Sequence, residues 1–187
     1  MDYRPVTPED LQELATILPP ERISTGESQL DLHARDQSAH PACRPEVVLW
    51  PETAEETARL LRFADRRRIP VVGWGAGSSL EGNPIPVKGG IVLNLQRMNH
   101  ILELRTGDLQ VRVEPGVIDK ELNQYLSRYG LFFPPDPGAS ATIGGMVGNN
   151  ASGIRTIKYG STKDFVLSMV VVLPSGEIIR CGTNAMK

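Results

Sequence analysis

The chain has 187 residues, 40% of them hydrophobic, with 20 Lys and Arg against 22 Asp and Glu for a formal net charge of -2. That length allows one good core or two small, closely packed subdomains, and the near-balance of charge argues against a nucleic-acid backbone as the main partner. No apolar run reaches the length of a membrane span, and Met1-Asp2-Tyr3-Arg4-Pro5 lacks the apolar core of a secretion signal, so the expected compartment is cytoplasmic.

The first expected element is a short helix. Thr7 caps it, Pro8 occupies the first turn where a missing N–H costs nothing, and Leu11, Leu14, Ile17 and Leu18 form an apolar stripe before Pro19-Pro20 stops it. The stripe suits a partner domain as well as this one. Further on, His33 and His40 bracket Asp36. With no additional ligand at metal-like spacing, they read as a loop folded over the mouth of the domain, and no metal is expected. Cys43 and Cys181 lie far apart without a CxxC, which points to reduced, structurally neutral thiols.

From Glu46 the pattern becomes β-α-β. Val47-Val48-Leu49-Trp50 reads as a buried strand, Thr53 to Glu56 as a capping box, and Leu60, Leu61 and Ala64 as the core face of a helix. Arg66-Arg67-Arg68 complements the dipole at the helix end and is expected to stay solvated, since no aromatic residues interleave it as on a base-stacking surface. Ile69-Pro70-Val71-Val72 is the next strand, and a crossover of this length favours parallel pairing of the two. The strand runs into a glycine loop, Gly73 to Gly82, with no helix directly after it, which is a poor fit to a Rossmann-type unit. Gly90 to Leu95 is a third buried strand. Ile101 to Val113 then reads as an antiparallel hairpin around Thr106-Gly107-Asp108, and a helix carrying Leu122, Tyr125, Leu126 and Tyr129 on its core face closes at Gly130. Phe165 to Leu173 is a long strand that returns, after a Pro174-Ser175-Gly176-Glu177 turn, as Ile178-Ile179-Arg180.

The second glycine-rich stretch runs from Pro134 to Gly153. Its prolines pin Asp136 and Gly138, and Ala141-Thr142-Ile143-Gly144-Gly145 should open a helix whose N-terminus faces a ligand, with Thr142 as hydroxyl donor. Asn149, Asn150, Ser152 and Gly153 add amides and hydroxyls. Two glycine loops with short hydroxyl side chains have the chemistry of a diphosphate cradle: exposed N–H groups bind phosphate oxygens, and glycine lets the backbone come close.

These motifs together, Val71 to Gly82, Gly89 to Leu95 with Arg97-Met98, Pro135-Asp136-Pro137-Gly138 and Ala141 to Gly153, resemble the FAD-binding domain of flavoprotein 2-hydroxy-acid dehydrogenases, the D-lactate dehydrogenase and glycolate oxidase group within the vanillyl-alcohol-oxidase (PCMH) type. The resemblance implies an α+β fold of two subdomains, a small parallel β-α-β unit and a larger, mainly antiparallel sheet with helices. The implied division is 1–42 as a lead-in with the first helix, 43–98 as the first FAD-binding subdomain and 99–187 as the second, incomplete at its C-terminus. The cofactor residues it implies are Gly73, Trp74, Gly75, Ala76, Gly77, Ser78 and Ser79 in the first loop, with Pro135, Asp136, Gly138, Ala141, Thr142, Gly144, Gly145, Gly148, Asn149, Ser152 and Gly153 in the second stretch.

The implied activity is oxidation of a D-2-hydroxy acid by hydride transfer to flavin N5, with the substrate held by a further domain or a partner subunit and the electrons passed to a cytochrome, quinone or other acceptor. The FAD is expected to be non-covalent, because no histidine lies within Gly73 to Gly82. Two alternatives share the motifs: a non-catalytic FAD-binding or assembly subunit, and another flavoenzyme of the same fold, of the alkyl-dihydroxyacetone-phosphate synthase or enolpyruvyl-sugar reductase type. No catalytic residue is identified, and the 187 residues are expected to be inactive alone.

Overall fold

The computed structural model describes residues 3–185. Thr7 accepts the Asp10 N–H and Asp10 accepts the Thr7 N–H, a reciprocal cap that starts α1 (Pro8–Leu14). The apolar stripe is not left for a partner. Leu14 and Leu18 are buried against Val47, Leu49, Leu60, Phe63 and Ile91 in the first core. A short strand β1 (Ile23–Ser24) and a helix α2 (Glu27–Leu32) follow, neither of them expected. The signal for α2 is weak, since Gly26 caps it without a side-chain bond and none of its residues is buried.

β2 (Val47–Leu49), α3 (Ala54–Arg67) and β3 (Val71–Trp74) form the expected β-α-β unit, and β4 (Ile91–Asn94) joins them. The sheet order is β1-β2-β4-β3, with β1 antiparallel and the others parallel. The expected neighbour pairing of β2 with β3 is therefore corrected: both register on β4, with Val47 and Val71 each opposite Ile91. Burial explains the order. All four residues of β4 are buried and take the centre, whereas the less buried β3 lies at the edge and leads into the glycine loop.

Two details of α3 also differ from expectation. Thr53 accepts the Glu56 N–H, but the Glu56 carboxylate turns to the Glu52 N–H and to Arg22, at 2.7 Å from both guanidinium nitrogens, so the capping box is not closed. The basic end is not simply solvated: Arg66 and Arg67 both pair with Glu13 at the end of α1, and Arg68 forms the left-handed C-cap. Charge complementarity thus links α1 to α3 as well as offsetting the dipole.

In the second half, β5 (Ile101–Arg105) and β6 (Gln110–Val113) form the expected antiparallel hairpin around a 3₁₀ turn at Thr106–Asp108. α4 (Asp119–Ser127) buries Leu122 and Leu126 with Val117 against Leu104, Val111, Phe133 and Ile143, a second core; Tyr129 is half exposed and lies outside it. α5 (Ile143–Asn149) and α6 (Thr156–Tyr159) carry the chain to β7 (Ser168–Val172) and β8 (Ile178–Gly182). The long strand expected from Phe165 begins later, because Ser161 and Asp164 cap each other around a 3₁₀ turn over Thr162–Phe165.

The class is α+β, and its antiparallel part consists of two separate ladders, β5-β6 and β7-β8. The second lies on α3, where Arg62 Nε donates to the Gly176 carbonyl at 3.2 Å. Cys43 is half-buried and Cys181 exposed, both free. Among the described residues, no helix is long and apolar enough to cross a membrane and no cluster of three His, Cys, Asp or Glu could hold a metal.

Candidate cofactor site

β3 ends in Trp74, and its indole becomes the floor of the loop that follows. Gly77 turns over that ring at φ 66°, where a Cβ would lie 2.6 Å from Trp74 Cζ2, so conformation and space both demand glycine. Among the described residues, no acceptor meets the backbone N–H groups of Gly75, Ala76, Gly77 or Ser78, and the half-buried Ser78 hydroxyl has no partner. Consecutive free N–H groups around a left-handed residue make an anion-binding concavity. Ser79 turns inward: its hydroxyl donates to Asn83 Oδ1 at 2.9 Å and accepts the Glu81 N–H, while its carbonyl accepts the Gln37 N–H at 3.0 Å.

The second stretch is built differently from expectation. Thr142, buried, is the N-cap of α5 and accepts the Gly145 N–H at 3.3 Å; the Ile143 N–H donates to Val117 and the Gly144 N–H to Pro115, both at 2.8 Å. The first turn of α5 therefore has its donors already satisfied, which corrects the expectation of a helix N-terminus presented to a ligand. Gly144 serves close packing, since a Cβ there would meet Pro115 Cβ at 2.7 Å.

Other residues of the stretch divide between wall and surface. Gly145, Gly148, Asn149 and Ser152 are exposed, with Asn149 Nδ2 donating to the Gly145 carbonyl, whereas Asn150 is the left-handed end of α5 and accepts the Lys163 N–H. Pro135 is buried, Asp136 accepts the Gly138 N–H at 3.1 Å, and a Cβ on Gly153 would fall 1.6 Å from the Asp136 carbonyl oxygen. Ala141 and the buried Asp119 exchange two bonds of 2.9 Å. Beside this wall lies an open groove of about 690 Å³ lined by Asp119, Lys120, Asn123, Phe132, Asp136, Arg155 and Tyr159.

The two stretches meet at one point. A Cβ on Gly75 would lie 2.1 Å from Thr142 Oγ1, so only glycine lets the loop after β3 touch the cap of α5. Three residues not among the expected site residues support the loop from below. His33 and Asn94 are buried and bonded to each other beneath Trp74, and the Asp36 carboxylate accepts the Gly82 N–H at 2.8 Å. Burial pushes the His33 imidazole below its ordinary pKa, partly offset by the Gln29 carbonyl. For Asp36, burial raises the carboxyl, but bonds from Ser38 and the Gly82 N–H outweigh it and hold the group below the usual carboxylate range. The sequence signal was the polar run His33 to Ser38, whose bonds to Gly82 and Asn94 span more than forty residues of the chain. A floor, a run of free donors and a closure set by a missing Cβ fit a diphosphate-containing dinucleotide. The cradle residues include no nucleophile or acid–base pair.

The FAD binding domain family matches residues 45–182. The chain is 37% identical over 188 residues to a mitochondrial D-lactate dehydrogenase (cytochrome) of Arabidopsis thaliana, covering 100% of this chain and 33% of that protein. It is 34% identical to a glycolate oxidase subunit of Bacillus subtilis, covering 97% of this chain and 39% of that protein. The chain thus spans about a third of the length of these curated relatives. Among solved structures, an alkyldihydroxyacetonephosphate synthase superposes with a TM-score of 0.84 at 22% identity, over 100% of this chain and 36% of that one. A p-cresol methylhydroxylase does so with a TM-score of 0.79 at 23% identity, over 94% and 36%. At these identities the likeness concerns the fold.

Proposed function

The chain belongs to the FAD binding domain family and its cofactor is FAD, and from that premise we propose that it is the FAD-holding part of an oxidoreductase acting on a D-2-hydroxy acid of the lactate or glycolate type. The observation that supports this reading is the closure at Gly75 and Thr142 over the free N–H groups of Gly75 to Ser78. Those amides and the Ser78 hydroxyl hold the diphosphate, and Gly73, Trp74 and Ser79 shape the loop. Thr142, Ala141, Gly144, Gly153 and Pro135 form the opposing wall through packing. Gly138, Gly145, Gly148, Asn149 and Ser152 are exposed and Asp136 half-buried, all available to the rest of the cofactor.

When bound, FAD would supply a two-electron acceptor at flavin N5 for the hydride from the α-carbon of the hydroxy acid, and the hydroxyl proton would pass to a base outside this chain as the 2-oxo acid forms. The chain's own residues position and enclose; none is assigned to proton transfer. Substrate recognition and electron transfer onward are assigned to residues outside this chain, in keeping with the share of its relatives that it covers. Separate cores on either side of residue 98 support a division there into two FAD-binding subdomains, the first recruiting α1 from the lead-in segment.

A visible spectrum of the purified chain, recorded after adding FAD and desalting, tests the reading. Bands near ~450 nm that survive desalting are expected, and acid precipitation should leave the flavin in the supernatant, as for a non-covalent cofactor. A chain that takes up no FAD overturns the proposal; flavin that stays with the precipitate overturns the non-covalent part.

A further inference from the structure

We propose that His33 and Asp36 are positioning residues for the FAD-binding loop, forming a bracket that holds the loop in its binding shape; the inference rests on the FAD reading given above. His33 is 1% exposed, and its bonding defines a single tautomer. Nδ1 lies 2.7 Å from the Gln29 carbonyl, which only accepts, so Nδ1 carries the proton. Asn94 Oδ1 accepts the Gln96 N–H at 2.9 Å, which turns Asn94 Nδ2 toward His33; Nε2, 2.9 Å away, is therefore an acceptor. A neutral ring with one donor and one acceptor satisfies both neighbours.

The ring stands between Trp50 and Trp74, with centroids 5.9 Å and 4.7 Å away. The Trp74 indole is in turn the floor on which Gly77 turns. Asn94, His33, Trp74 and Gly77 thus form one continuous stack from the centre of the sheet to the free N–H groups. Three residues past His33, Asp36 Oδ2 accepts the Gly82 N–H at the far end of the loop, and its Oδ1 is held by the Ser38 N–H and hydroxyl at 2.9 and 2.5 Å. The Gln37 N–H adds the bond to the Ser79 carbonyl. One short segment therefore grips the loop under its middle and at its end.

An apolar side chain would fill the space beneath Trp74 without the cost of burying imidazole and amide. A hydrogen-bonded ring instead sets the height and tilt of the indole, because both of its nitrogens are tied. A loop of glycines and short side chains has many conformations available, and binding is weakened by the fraction of time it spends outside the competent one.

The test is an FAD titration of the chain, alongside thermal melting of the apo form, for wild type, His33→Gln, His33→Asn and Asp36→Asn. The glutamine amide reaches the Nε2 position and keeps the bond to Asn94, whereas asparagine does not. His33→Gln is expected to bind FAD within about threefold of wild type, while His33→Asn and Asp36→Asn weaken it about tenfold or more, at temperatures where their apo forms remain folded. An NMR signal from a protected His33 Nδ1–H in the wild type is the companion readout. Wild-type affinity in His33→Asn and Asp36→Asn, equal losses in His33→Gln and His33→Asn, or losses that follow only the unfolded fraction would overturn the bracket and leave the FAD reading standing. A wild type that takes up no FAD overturns both.

Discussion

Gly75→Ala probes the contact on which the two glycine stretches depend. The added Cβ would sit 2.1 Å from Thr142 Oγ1, against about 3.4 Å for ordinary contact, so the loop and the cap of α5 must part by about 1.3 Å, the difference of the two. Thr142 cannot yield cheaply. Its Cβ and Cγ2 are themselves 3.3 and 3.4 Å from the same point, and rotating the side chain abandons the Gly145 N–H. Overpacking of this kind costs about 1–3 kcal/mol, and loss of a threonine cap about 1 kcal/mol. A net loss of about 2 kcal/mol lowers the melting temperature of a chain this size by roughly 4–8 °C.

FAD affinity should fall at least about tenfold, since 1.4 kcal/mol of lost closure is enough. The decisive assay is a double-mutant cycle with Thr142→Ala, which removes Oγ1 and makes room. The pair should be less destabilised than the sum of the singles by about 1 kcal/mol, beyond the ~0.5 kcal/mol scatter of independent sites. Additivity within that scatter, or a Gly75→Ala chain that melts and binds FAD like wild type, would refute the contact as the closure of the site.

Other perturbations follow from the same geometry. Gly153→Ala sets a Cβ 1.6 Å from the Asp136 carbonyl oxygen, a backbone atom that cannot rotate away, and should cost about 3 kcal/mol or more, seen as a large drop in denaturant midpoint. Gly148→Ala, with nothing within 4 Å, is the matched control and should change stability by less than about 1 kcal/mol. The Arg4 guanidinium holds the buried Asp10 carboxyl well below the usual carboxylate range, helped by bonds from Thr7. A depressed carboxyl stabilises the fold above its unfolded pKa of about 4 and loses that contribution as pH falls toward the folded value. Asp10→Asn should therefore lower stability by about 2 kcal/mol at pH 7, with the gap to wild type narrowing below about pH 4 in denaturation curves; a gap independent of pH would contradict the assignment.

Much of the fold was legible because its signals are local. Alternating Val111 and Val113, the Thr7 cap with Pro8, and the apolar run Ile91 to Leu93 each declare an element within a few residues. The glycine spacing at Gly73, Gly75 and Gly77 declared a loop that approaches something closely, and the ordered motifs carried the family resemblance. α2 escaped because Gly26 supplies no side-chain cap and no buried stripe marks the helix. The long strand read from Phe165 was shortened by the Ser161 and Asp164 cap, whose local bonds compete with the ladder.

The amino-acid sequence by itself determined the strands β2 to β8 to within a few residues, since periodicity declares them within short windows, and its ordered glycine-rich motifs carried the resemblance to a family of cofactor sites. Only the tertiary structure decided that β4 lies between β2 and β3, that the donors of α5 are consumed by Val117 and Pro115, that Gly75 rests on Thr142, and that His33 and Asp36 hold the loop from beneath. Each of those joins residues distant in the chain. Which polar group meets which donor across such distances depends on how the packed elements lie against one another, and no local pattern of residues specifies it.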